Sequence, residues 1–338
     1  MNLLEKIYKF SRPAFTMAEI LLSLTIIGVV AAITLPSLTG NINERTWNTQ
    51  RKALFSRLNQ AVALMPQIRG YGNVTKSIET NTWGTDCAIF SSDIATEAFL
   101  TNGLGKVLKL NNICNHENLG DCGLPDTFTG MGSGSKLQLS DFKSIAGLNE
   151  KFNKEGASGC AVLLGAVRTK GAAFETANGE SVLVHYNPIC LPANHNDYGL
   201  DSYSFEPIGF ICANFIYDLN GKKGPNTIGK DMGVMSLFYS SDSLLVAPNL
   251  YAKVAAKSVT LSEASQACRA YDDARIPTRE EMAAVSINKK VFGTLDSNEM
   301  LWTSTRIGGQ VFGLAPGNDT MYKCNVTDKL SARCVKRN

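Results

Sequence analysis

From Ile20 to Asn43 the chain carries no charged side chain, and a single carboxylate, Glu19, stands at the head of that run. The stretch reads Ile20-Leu-Leu-Ser-Leu-Thr-Ile-Ile-Gly-Val-Val-Ala-Ala-Ile-Thr-Leu35 and then Pro36. Few folds accept it, because a helix that is apolar on every face belongs in a bilayer or a deep core. At about 1.5 Å per residue, the segment from Phe15 to Leu35 is long enough to cross a hydrocarbon layer of roughly 30 Å. Lipid penalises a carboxylate by a few kcal/mol, so Glu19 at its edge marks a functional site. Lys6, Lys9 and Arg12 precede the run. That bias predicts a cytoplasmic N-terminus and a translocated body.

The register is more informative still. A short basic leader is followed by the small residue Ala14, then Phe15-Thr16-Met17-Ala18-Glu19, the apolar run and Pro36. This order resembles the class III signal of type IV pilins and type II secretion pseudopilins. The resemblance implies a leader over 1–14, a cut between Ala14 and Phe15 by a prepilin peptidase, and methylation of the new amino group of Phe15. Glu19 is then the fifth residue after the cut and Pro36 the twenty-second, where that family has them. One departure stands out: the family has Gly before the cut, and this chain has Ala14. The apolar helix would stay on the mature protein, unlike the discarded region of a secretory signal peptide. In the family the partner of the Glu19 carboxylate is the free amino terminus of a neighbouring subunit. A buried carboxylate is tolerated when paired, so that contact would set the register of assembly. The other reading of the same residues is an ordinary single-span anchor with Glu19 at the interface.

Beyond Pro36 the pattern becomes amphipathic. Leu54, Leu58, Ala61, Val62 and Met65 recur on one face of a 3.6-residue period. Arg45, Arg51, Lys52 and Arg57 are expected on the other faces. Pro36 is expected to kink the helix by removing a backbone donor. Pro66 and Gly70-Tyr71-Gly72 end the run.

The remaining length suggests roughly two domains beyond the anchor. A net charge of +3 is too small to argue for a nucleic-acid partner. Nine cysteines lie between Cys87 and Cys334 with no CxxC among them, which in a translocated domain reads as disulfides, with at least one thiol free or paired between chains. The three histidines, His116, His185 and His195, lack metal spacing. Cys114 with His116, or Cys190 with His195, would be half of a zinc site at most. No GxSxG elbow is present, and the chain is read as not an enzyme. Strands are expected within Cys160–Val167, Ser181–Tyr186 and Phe210–Asp218.

One loop carries metal-ligand chemistry. Asp218-Leu-Asn220-Gly221-Lys-Lys-Gly224-Pro225-Asn226-Thr-Ile-Gly229-Lys-Asp231 resembles a loop recurrent in pseudopilins. Ca2+ takes six to eight oxygens, and Asp218, Asn220, Asn226 and Asp231 would be its side-chain ligands. The same residues also make a metal-free turn, since Asn-Gly and Gly-Pro-Asn are turn formers and Asp caps turns.

Toward the C-terminus, Thr260-x-x-Glu263 and Thr278-x-x-Glu281 are capping boxes that open two helices. Arg275-Ile276-Pro277-Thr278, Trp302-Thr303-Ser304-Thr305 and Arg333-Cys334-Val335-Lys336 follow in order. Over about 80 residues this series resembles the C-type-lectin-like module that ends bacterial surface proteins such as the collagen-like adhesin of Legionella. The resemblance implies a disulfide between Cys268 and Cys334. Trp302 is expected in the core. No calcium-lectin signature is present, and a ligand site, if any, is expected in the loop from Arg306 to Asn318. The basic Lys336-Arg337 end would help attract an anionic glycan, though two charges are also what a solvated tail carries.

The whole is expected to be an α+β chain. The transmembrane and polymerisation helix covers 15–36 and the amphipathic stalk helix 37–66. The stalk packs on the pilin-like antiparallel sheet of a globular domain over 67–250, and a C-type-lectin-like module occupies 258–338. The function expected is that of a minor pilin or pseudopilin, at a filament tip or in low copy. It would sit in the inner membrane, single-pass with its N-terminus cytoplasmic, and enter a periplasmic pseudopilus or an extracellular pilus. Its partners would be other subunits, the peptidase, membrane lipid and an extracellular glycan or surface ligand. The alternative is a non-polymerising, membrane-tethered surface binding protein.

Overall fold

The computed structural model describes residues 16–65, 96–97, 99–131, 134–145, 169–186, 205–206, 211–238, 244–271, 274–293, 295–296, 298–317 and 320–336. Of residues 31, 33–42, 145, 169, 205–206, 244 and 252–253 it describes the backbone alone. The expected strand over Cys160–Val167 and the cleavage residues Ala14 and Phe15 lie outside the described residues. By contacts the chain divides into two units, Met1–Thr49 and Gln50–Asn338.

Helix α1 (Met17–Leu64) belongs to both units. It is one continuous helix, Pro36 included. In its first part Leu21, Leu22, Leu24, Ile26, Ile27, Val29 and Val30 are all exposed. Its polar residues turn inward on the backbone: Ser23 Oγ donates to the Glu19 carbonyl at 2.8 Å and Thr25 Oγ1 to the Leu21 carbonyl at 2.7 Å. Hydroxyls bonded in this way need no water, a requirement that lipid imposes. Among the described residues no helix is long and apolar enough to cross a membrane. The apolar sequence runs on to Leu35, and the side chains of positions 31 and 33–42 lie outside that description.

The second unit is mixed helix and largely antiparallel sheet. Its strands are β1 (Leu110–Cys114), β2 (Thr127–Thr129), β3 (Lys136–Gln138), β4 (Ser144–Ile145), β5 (Thr169–Thr176), β6 (Ser181–Tyr186), β7 (Phe205–Glu206) and β8 (Ile211–Asp218). They continue with β9 (Met232–Phe238), β10 (Leu244–Val246), β11 (Leu250–Val259), β12 (Ala274–Arg275), β13 (Leu301–Ile307), β14 (Gln310–Ala315), β15 (Thr320–Cys324) and β16 (Leu330–Lys336). The first sheet runs β1-β5-β6-β8-β9-β10 with β4 on β5. The second runs β11-β16-β13-β14-β15-β7 with β12 on β16. Only the β13–β16 pairing among these is parallel. Every residue of β6, β8 and β9 is buried, which accounts for their near-continuous apolar runs.

The amphipathic stripe of α1 is buried along its whole length: Leu54, Leu58, Ala61, Val62 and Met65 are each at most 1% exposed. Arg51 corrects the expectation that it lies on another face. It stands three residues before Leu54, on the same stripe, and is 7% exposed. Its guanidinium donates from Nη2 to the Lys230 carbonyl at 2.8 Å. Arg57 pairs with the buried Glu180, whose other oxygen accepts from Thr176 Oγ1.

Helices α2 (Leu261–Arg269) and α3 (Arg279–Ile287) both open with complete capping boxes, on Thr260 with Glu263 and on Thr278 with Glu281. Helix α3 lies against β9 of the first sheet and against β13 and β14 of the second. One hydrophobic cluster accordingly runs from Cys114 to Val335, across residues of both sheets. At the end of α3, Asn288 exchanges two amide bonds of 2.8 Å with the fully buried Asn214 of β8, and Ser236 Oγ donates to Asn214 Oδ1 at 2.9 Å. Such a fully satisfied buried network holds α3 in register on β8.

Disulfides join Cys114 to Cys122 and Cys268 to Cys334, and Cys212 is also disulfide-bonded. The first bond removes Cys114 from any zinc pair with His116. Among the described residues Cys324 is the free thiol, and burial pushes its pKa up.

Candidate functional site

The expected assembly residue, Glu19, is built into the start of its own helix. Thr16 N and Thr16 Oγ1 both donate to Glu19 Oε2 at 2.9 Å, and Glu19 N donates to Thr16 Oγ1 at 3.3 Å. This reciprocal pattern is a third capping box, and its sequence signal is the spacing Thr16-x-x-Glu19. The carboxylate satisfies donors that the first turn would leave open and stands at the positive end of the helix. Its residue is nevertheless exposed, as are Met17 and Ile20 beside it.

The loop from Asp218 to Asp231 joins β8 to β9. Its glycines explain much of the motif: Gly221, Gly224 and Gly229 take φ of 63°, 71° and 88°, and Asn226 takes 49°. These are left-handed positions, where Gly is unstrained and Asn is tolerated. Asp231 fixes the turn, accepting from Asn226 N at 2.8 Å and Thr227 N at 2.9 Å. Asn220 N donates to Asp218 Oδ1 at 3.0 Å, and Asn220 Nδ2 donates to the Gly224 carbonyl at 2.7 Å. Three of the four expected ligands, Asp218, Asn220 and Asp231, therefore spend side-chain bonds as a metal-free turn would.

Unsatisfied oxygens remain. Asp218 Oδ2, Asn220 Oδ1 and Asn226 Oδ1 are buried with no hydrogen-bond partner in the protein. Leaving such a group orphaned costs about 1–3 kcal/mol each, which a cation would offset. Ser181 Oγ is a fourth orphan. Ser181 is the register partner of Asp218 across β6 and β8, a long-range neighbour that no local motif announces. Burial pushes the Asp218 carboxyl up to about 7, opposed by the Asn220 backbone N–H and aided by the charge of Asp231. In donor chemistry the loop fits a hard, oxygen-loving cation. Among the described residues no group of three or more His, Cys, Asp or Glu side chains is placed to hold a metal. A cation here would rest on the Asp218 carboxylate and neutral oxygens, since both oxygens of Asp231 already accept backbone N–H bonds.

The motifs of the C-terminal region prove to be structural hardware. Arg275 forms a bidentate pair with Glu281, Nη1 to Oε2 and Nη2 to Oε1, both at 2.7 Å. Glu281 Oε2 also accepts from Thr278 N at 2.8 Å. The spacing Arg-x-Pro-Thr-x-x-Glu thus couples a strand to the capping box of the next helix. Trp302 is fully buried and donates from Nε1 to the Val259 carbonyl at 2.8 Å. Ser304 N donates to the Pro277 carbonyl at 2.8 Å, and Thr303 Oγ1 to that of Phe312 at 2.7 Å. Arg333 reaches the Tyr251 carbonyl at 3.0 Å. Much of the expected ligand loop, Arg306 to Asn318, is the β13–β14 hairpin and strand β14.

His185 of β6 is fully buried, and burial pushes its pKa down to about 4, so it is neutral at physiological pH. Its Nε2 stands 2.8 Å from the Phe142 carbonyl. His116 stands in the turn after β1, and His195 lies outside the described residues. The chain matches no family model and no curated protein.

Proposed function

We propose that the chain is a minor type IV pilin or pseudopilin, a membrane-anchored subunit that assembles at a filament tip or in low copy. The observation that carries this reading is the register of the N-terminus: a basic leader, Ala14, Phe15 and Glu19 at the head of an apolar helix. The inward-bonded hydroxyls of Ser23 and Thr25 support a lipid setting for that helix. Leader removal between Ala14 and Phe15 frees an amino group, and the Glu19 carboxylate of an adjacent subunit is its natural partner. The helix from 15 to 36 holds the subunit in the inner membrane, N-terminus cytoplasmic, until assembly. The body from Gln50 onward is too bulky to suit every position of a thin filament, which favours a terminal place. There the pilin-like first sheet would pack on neighbours and the lectin-like second sheet would face outward. No catalytic role is assigned.

Within this reading the Asp218–Asp231 loop binds calcium through Asp218 and the amide oxygens of Asn220 and Asn226, with Asp231 shaping the loop. The cation supplies the positive charge that a buried carboxylate lacks, and Asp218 must be ionised to take it.

The deciding experiment is intact-mass and N-terminal peptide mass spectrometry on protein from its native membrane. A chain beginning at N-methylated Phe15 is expected. A chain still carrying Met1 to Ala14 would overturn the assembly reading. A second reading has one observation in its favour: Glu19 already serves as the capping partner of its own helix, as it would in a plain tethered surface protein. Glu19→Val separates the two, because only the filament subunit would lose incorporation beside its partners.

A further inference from the structure

If the Asp218–Asp231 loop holds calcium, as proposed, it is short of donors by itself. Asp218, Asn220 and Asn226 supply one orphaned side-chain oxygen each, and Ca2+ takes six to eight oxygens. Across the β6–β8 pairing Ser181 faces Asp218 in register. The two side chains therefore leave the same face of the sheet, about 5 Å apart at Cβ. Ser181 is 1% exposed, and its Oγ is buried without a hydrogen-bond partner in the protein. Two strand neighbours, each with an orphaned oxygen, form an arrangement that a shared cation satisfies.

Backbone oxygens close on the same place. Gly221 follows Asn220, and the position that a Cβ would take on it has only oxygens as its three nearest atoms from elsewhere in the chain. They are the Gly123 carbonyl at 3.3 Å, Ser181 Oγ at 3.8 Å and the Gly179 carbonyl at 3.9 Å. Among the described residues no backbone N–H is bonded to either carbonyl. At Gly123 a Cβ would stand 2.5 Å from Ser181 Oγ, so glycine there leaves the hydroxyl open. These oxygens come from two further turns. Gly123 ends the turn Leu119–Cys122, closed by the Cys114–Cys122 disulfide, and Gly179 and Ser181 lie where β5 turns into β6. Granted the calcium reading of the loop, we propose that Ser181 Oγ and the carbonyls of Gly123 and Gly179 complete the cation site. Three oxygens from the loop and three from these turns make six, the lower bound for calcium. The cation is then a tie among three turns at one end of the first sheet, not a property of one loop.

The test is isothermal titration of calcium into the full chain, stripped of metal with a chelator and held in detergent at pH 8, for wild type and Ser181→Ala. The variant is expected to bind calcium at least tenfold more weakly. Without calcium its Tm is expected to equal or exceed that of wild type, because the substitution removes an orphaned hydroxyl and no bond. Hydrogen exchange on wild type is a second measurement and decides alone if the variant melts early. Calcium is expected to slow exchange at least tenfold at residues 123 and 179–181 as well as within 218–231. Equal calcium affinity of Ser181→Ala and wild type, or slowing confined to 218–231, would overturn the three-turn site and leave the loop site standing. No calcium binding by wild type would overturn both together.

Discussion

Helices α1 and α3 begin with the same four-residue code and use it in opposite surroundings. Thr16-x-x-Glu19 and Thr278-x-x-Glu281 form equivalent bonds, Thr N to Glu Oε2 at 2.9 and 2.8 Å and Glu N to Thr Oγ1 at 3.3 and 3.2 Å. At α3 the glutamate is 5% exposed and gripped by Arg275. At α1 the glutamate is exposed within a helix whose apolar side chains are exposed as well. The local motif closes a helix end in both places. A buried copy becomes a joint of the core, whereas an exposed copy, as at α1 and at Thr260 of α2, caps its helix without a partner from the core. The difference teaches that the same spacing gives a buried joint or an exposed cap according to the surroundings of the carboxylate.

The sharpest way to break the comparison is Glu281→Ala, which leaves a half-buried Arg275 without its partner and opens the cap. A loss of about 2–4 kcal/mol in body stability is expected, read from urea unfolding of the full chain in detergent. Thr260→Ala, at the exposed box of α2, removes a cap without stranding a charge. About 1 kcal/mol is expected from the same unfolding curves. Glu19→Val should leave the unfolding of the body unchanged while abolishing incorporation into filaments, scored by shear fractionation. Equal unfolding losses for Glu281→Ala and Thr260→Ala would show that burial adds nothing to the box.

Asp218 extends the contrast to carboxylates without an arginine. Its folded pKa, about 7, is above the ordinary value of 3.8. The folded form therefore holds a proton that the unfolded form has released. That contribution is fully present below the unfolded value and is lost as pH rises through about 7. Metal-free protein should accordingly lose stability from pH 4 towards 7. Calcium, which binds the ionised form, should raise the Tm more at pH 8 than at pH 5.5, and Asp218→Asn should abolish that difference. His185 contributes with the opposite sign. Its folded pKa of about 4 lies below the ordinary 6.5. Its share of stability is present above 6.5 and is lost as pH falls through about 4, so the Asp218 effect is best read in a His185→Gln background.

Sequence by itself determined the elements whose physics is local. The stripe from Leu54 to Met65, the boxes at Thr260 and Thr278, strands β6 and β8, and the burial of Trp302 were all legible, because a period, a cap or a β-branched run acts within a few residues. The capping role of Glu19 is equally local, carried by the spacing Thr16-x-x-Glu19. Tertiary structure alone decided matters that depend on residues far apart in the chain. It buried Arg51 on the stripe, because only the fold brings the Lys230 carbonyl within its reach. It bonded Cys114 to Cys122, joined both sheets through the Asn214–Asn288 pair, and set Ser181 beside Asp218. It also brought the carbonyls of Gly123 and Gly179 to Gly221. Spacing governs what a segment can do with its own backbone, but solvation and charge pairing are settled by neighbours that only packing supplies.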